Sequence, residues 1–98
     1  MSVSLPKNSD VYMGLTILAI EKTLLDIGKP VYDKVISVLD KDYHCYLTDC
    51  YEHPEYLSEI LKKLYGDSNK EIIESINKKL EEFSTKEPIE RFLQVMHR

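Results

Sequence analysis

The sequence predicts an all-α fold, a compact bundle of about five helices with orthogonal or antiparallel packing. Three observations carry this. Apolar residues recur at three- and four-residue spacing through most of the chain and nowhere alternate as a half-buried strand requires. The punctuation is helical: Gly28 before Pro30, Pro54 after an irregular stretch, Gly66 before Ser68 and Pro88 after Ser84-Thr85 each mark a stop or a start. Finally, 98 residues with 43% hydrophobic and 31% charged side chains suit one folded domain and no more. We divide the chain into a flexible tail, 1–8, and a single helical domain, 9–98.

The first helix should begin at Ser9 or Asp10, whose side chains can accept from free N–H groups as an N-cap, and run to Ile27. It is apolar on two sides. With Met13 at zero, Ile17, Ile20, Leu24 and Ile27 fall within about 40° of it, while Val11, Leu15, Leu18 and Leu25 lie between about 120° and 200°. Lys22 sits within the second stripe, where a snorkelling position suits it better than a dry core. Such a helix is either the central strut or has one face on the core and the other on a second subunit.

The second helix, Pro30 to Tyr43, gathers Val31, Tyr32, Val35, Val38 and Leu39 on one side, with Asp33, Lys34, Ser37, Asp40 and Lys41 on the other. Residues 44–53 lack a period and read as a connector with a short turn capped by Asp49. Pro54 opens a third helix with a Leu57, Ile60, Leu61, Leu64 stripe, stopped by Gly66. Ser68 to Glu71 matches a capping box for a fourth helix, which carries Ile72, Ile73, Ile76, Leu80 and Phe83 to about residue 83. Pro88 starts the fifth, with Ile89, Phe92, Leu93 and Met96 apolar.

Charge and composition exclude several functions. A net charge of −4 disfavours non-specific nucleic-acid binding, and three glycines leave no Gly-rich phosphate loop. The longest apolar run, around Ile17 to Ile20, stops at Glu21-Lys22, so no membrane span is expected. The first residues lack the pattern of a secretory signal, and with only two cysteines a reducing cytoplasm is expected. Eleven lysines against two arginines, with a single glutamine, follow the thermophile trend; an AT-rich genome gives the same bias.

Four constellations could carry chemistry. His44, Cys45, Cys50 and His53 are metal-competent, but Cys-x4-Cys-x2-His is no usual zinc knuckle, so plain packing is preferred over a metal or redox sensor built on Cys45, Cys50 and His53. Five tyrosines (43, 46, 51, 56 and 65) cluster with acidic residues. They either plug the junction of the second to fourth helices or form a partner surface, for which Tyr46, Tyr51, Glu52 and Tyr56 are the candidates. The third and fourth helices could pass for a helix-turn-helix, yet Glu71, Glu74, Glu81 and Glu82 outnumber Lys70, Lys78 and Lys79 on the would-be recognition helix. For catalysis there is only Asp49 with His53, four apart in a loop, which defines no nucleophile and base, so neither an enzyme nor a cofactor is expected.

The run Asp49-Cys50-Tyr51, then His53-Pro54-Glu55-Tyr56-Leu57 and Leu61-Lys62-Lys63-Leu64-Tyr65-Gly66, resembles a small archaeal family, the fifth Nitrosopumilus output domain. Ile76, Leu80, Phe83, Ile89, Phe92 and Leu93 resemble it too, so the similarity covers Leu15 to Leu93. The resemblance implies a compact helical domain, alone or attached to signalling proteins, without an established activity or ligand, and it carries over no functional residues. The expected function is a noncatalytic protein–protein interaction or signalling output module. It would act as a homodimer through Val11, Leu15, Leu18, Lys22 and Leu25. A DNA-binding regulator and a metal or redox sensor are the alternatives.

Overall fold

The structure, a computed structural model, describes residues 8–97 and their side chains from residue 11 onward. The tail expected before the first helix lies outside the described residues, apart from Asn8. Five α-helices are present among the described residues: α1 (Asn8–Ile27), α2 (Lys29–Val38), α3 (Pro54–Tyr65), α4 (Asn69–Lys79) and α5 (Glu87–Met96). No strand occurs among them, and no helix there is long and apolar enough to cross a membrane. The expected all-α bundle is the fold.

Helix α1 organises the packing. It contacts α2, α4, α5 and the 3-10 turn Leu47–Tyr51, while α3 packs against α2, α4 and α5. The stripes expected on α3 to α5 are the ones that fill the core: Leu57, Ile60 and Leu61, then Ile72, Ile73, Ile76 and Leu80, then Ile89, Phe92, Leu93 and Met96. Val35 and Leu39 add the contribution of the second helical segment. Leu64 and Phe83 are only partly buried against this cluster.

The buried face of α1 differs from the expected one. Thr16, Ala19, Ile20, Thr23 and Leu24 are buried, Met13 and Ile17 are half-buried, and Ile27 is exposed. The core therefore meets a face rotated by about 60° from the Met13–Ile17 stripe, toward two threonines and an alanine. Small side chains let α1 lie close to its neighbours. The Thr16 hydroxyl satisfies itself by donating to the Tyr12 carbonyl at 2.7 Å.

Element ends also differ. Helix α1 starts at Asn8, so Ser9 and Asp10 stand inside it rather than at its N-cap. The second helix keeps α geometry only to Val38. Its last turn, Leu39–Tyr43, is π-helical and closes at His44, whose φ of 53° is left-handed, with the Cys45 N–H donating to the Leu39 carbonyl at 3.2 Å. Gly66 ends α3 at a φ of 55°, a backbone that favours glycine. The capping box at Ser68 does not form. Residues 66–68 make a 3-10 turn, which puts Ser68 in helical φ and ψ, whereas a capping hydroxyl needs an extended backbone. Helix α4 stops at Lys79, and Phe83 falls in a separate 3-10 turn, Glu81–Phe83.

Burial decides what truncation should cost. Leu61→Ala and Ile76→Ala, at fully buried sites, should each lower unfolding free energy by about 2–5 kcal/mol in a urea titration, from lost transfer energy plus a residual cavity. Leu64→Ala, at a half-buried site, should cost clearly less. A loss below about half a kcal/mol at both buried sites would place this stripe on the surface.

Candidate functional site

The segment between α2 and α3 concentrates the polar and aromatic chemistry of the chain. Two contacts tie the π turn to α3: the Tyr43 hydroxyl donates to Glu59 at 3.1 Å, and Lys63 stands 3.8 Å from Asp42. Burial, and then the bond to Glu59, holds the Tyr43 hydroxyl above the ordinary tyrosine range. Tyr56 lies between two rings, 4.8 Å from Tyr43 at a tilt of 41° and 4.7 Å from His53, nearly parallel to it. His53 also contacts Glu55 through Nδ1 at 3.1 Å. Asp49 shapes the connector as expected, its carboxylate accepting from the Tyr46 N–H at 2.8 Å at the head of the 3-10 turn Leu47–Tyr51.

The four residues expected to form one partner surface are divided. Tyr46 is 78% exposed and lines a groove of about 580 Å³ between α1 and α2. Tyr51 and Glu52 line another, of about 520 Å³, with His53, Pro88 and Arg91. Tyr56 belongs to the ring stack. Most of the tyrosine cluster is thus structural, half-buried at the junction of α2 and α3, and Tyr46 alone of the five is fully on the surface.

The cysteines are free thiols. Cys50 is buried in the core, and burial is the main cause that pushes its thiol up to about 12. Cys45 is half-buried, and burial, followed by the Asp49 charge, raises it as well. Among the described residues no three of His, Cys, Asp and Glu assemble as a metal-holding group, and Cys45, Cys50 and His53 do not converge.

Of the two arrangements the sequence leaves open for α1, the structure puts the second stripe at the surface. Val11 is 48%, Leu18 54% and Leu25 42% exposed; Lys22 is exposed and Leu15 half-buried. Steps of four, three, four and three residues join Val11, Leu15, Leu18, Lys22 and Leu25, the spacing of a coiled-coil seam. Gly14 adjoins this face with nothing within 4 Å of a Cβ added to it. A shallow groove of about 260 Å³ continues the stripe toward Leu80 and Phe83. The α1–α2 groove with Tyr46 is the feature that sequence reading missed; its signal was Asp33, Ile36, Ser37 and Asp40 sharing one flank of α2.

No known family model, curated protein or solved structure matches the chain.

A raised thiol is a weak nucleophile near neutrality, and a buried one is also shielded. Cys50 should therefore resist a disulfide reagent such as DTNB at pH 7.5 until the protein unfolds, and Cys45→Ser should abolish what reaction the native protein shows. The alkaline limb follows with its sign. A folded-state thiol raised above its unfolded value keeps its proton while the unfolded chain loses its own, so Cys50 subtracts stability from about pH 9 up to about 12 and nothing below. Alkaline melts of Cys50→Ala should lack this decline; an unchanged decline would assign it to other groups.

Proposed function

We propose that the chain is a noncatalytic interaction module of a regulatory or signalling system, working as a homodimer through the outer face of α1. The observation that carries this is the seam of exposed Val11, Leu18 and Leu25 with half-buried Leu15 between them, on a helix whose opposite flank is already in the core. Isolated exposed leucines are ordinary, but a contiguous stripe at heptad spacing is a surface for another helix. Gly14 supports it. A mid-helix glycine costs about 1 kcal/mol relative to alanine, and on this face it lets a second backbone approach closely.

Charge favours an antiparallel pair. In a parallel pair Lys22 would meet Lys22 of the second copy, with like charges in one layer. Reversed, each Lys22 lies over the uncharged stretch 11–20 of the other α1, around Gly14, Leu15 and Leu18, where its alkyl stem packs and its ammonium reaches water. The resemblance to an archaeal output domain points to the same regulatory class.

Sedimentation equilibrium between about 1 and 500 µM should show a dimer for the wild type, an affinity range common for homodimers of modest area. Leu18→Glu with Leu25→Glu, both at exposed sites, should give a monomer of unchanged helicity with association weakened at least about a hundredfold. A wild type that stays monomeric at the highest concentration would overturn the reading.

A further inference from the structure

The groove between α1 and α2 is a second surface, with its own charge. Ile17, Ile36 and Leu47 supply an apolar floor, closed at one end by the connector that carries Tyr46. Three carboxylates line it, Glu21 from α1, Asp33 from α2 and Asp40 from the π turn, and among the described residues no lysine or arginine does. Lys29 pairs with Asp33 at 3.3 Å, but both side chains are well exposed, so the pair is weak and exchangeable. Glu21 and Asp40 have no ion-pair partner among the described residues.

We infer that this groove docks a basic amphipathic helix of a partner protein, its apolar side chains on Ile17 and Ile36 and its lysines or arginines on Glu21, Asp33 and Asp40. The geometry sets the register. Asp33 on α2 and Asp40 in the π turn that continues it are seven residues apart on one flank, about 10 Å at an α-helical rise, so cations one heptad apart on the incoming helix meet both. Ile36 lies between them on the same flank and takes the apolar residue between those cations. Tyr46, 78% exposed at the closed end, offers a ring and a hydroxyl at low entropic cost. The inference rests on reading the domain as an interaction module and names the chemistry of a partner other than a second copy.

The probe is a 16-residue amidated leucine/lysine peptide with lysines one heptad apart, compared with its glutamate counterpart and with spermidine, in titrations of isotope-labelled full chain. The lysine peptide should bind with a Kd below about 100 µM at low salt, moving the resonances of Ile17, Ile36 and Tyr46, and should weaken steeply as salt rises. Glu21→Gln with Asp40→Asn, isosteric and outside the core, should weaken it about tenfold. No binding, equal binding of the glutamate peptide, an affinity unmoved by the double variant, or shifts from spermidine but not from the peptide would each overturn the inference. Leu18→Glu keeps the two proposals apart: peptide binding should survive in that variant. A monomeric wild type that binds the peptide would sink only self-association, and a dimer that ignores the peptide would sink only the groove.

Discussion

Everything in this bundle leans on one flank of α1. Ile20 and Leu24 reach full burial there, each contributing on the order of 1.5–3 kcal/mol of transfer free energy, and Thr16, Ala19 and Thr23 beside them keep the approach of α4 and α5 close. Not all of it is favourable. The Thr23 hydroxyl is buried with no hydrogen-bond partner among the described residues, a cost of about 1–3 kcal/mol. Among the described residues α2, α4, α5 and the 47–51 turn gather about α1, and none of them covers Val11, Leu18 or Leu25. The exposed seam is thus a geometric result of how the core is built.

The sequence made the later helices easy to read and the first one hard, for a physical reason. In α3, α4 and α5 the apolar residues occupy a single stripe, so periodicity and burial have one solution, and Leu57, Ile60, Ile76 and Phe92 go where they must. Helix α1 has apolar residues most of the way round, and threonine and alanine do not register as core to a hydropathy pattern. Its true inner face was therefore invisible until the partners were in place. The same holds at the ends. A Ser-x-x-Glu pattern signals a capping box only if the serine is extended, and the 3-10 turn after Gly66 removes that condition. The π turn at 39–43 has no pattern of its own, because it depends on Tyr43 and Asp42 reaching Glu59 and Lys63 on α3.

The two proposed surfaces divide along the same line. The membership of the α1 seam was legible because it lies within one helix, where spacing alone fixes which residues share a face, though not which of its two stripes faces outward. The acidic groove was not, since Glu21 and Asp40 become neighbours of one space only after α2 folds back from Gly28. The tyrosine-rich connector left two readings open, a plug at the helix junction or a partner surface, and ring stacking and the bond to Glu59 use Tyr43 and Tyr56 internally.

Because α1 is both the strut of the core and the bearer of the open seam, the proposed self-association would be linked to folding. A second copy seated on Val11, Leu18 and Leu25 would bind only chains whose α1 is already packed, so mass action would favour the folded state. Resistance to unfolding would then grow with the amount of protein, by about 1.4 kcal/mol per dimer for each tenfold rise. Under such coupling, dilution inside a cell would loosen the bundle and abundance would firm it, making the quantity of the domain itself a variable that its structure can register.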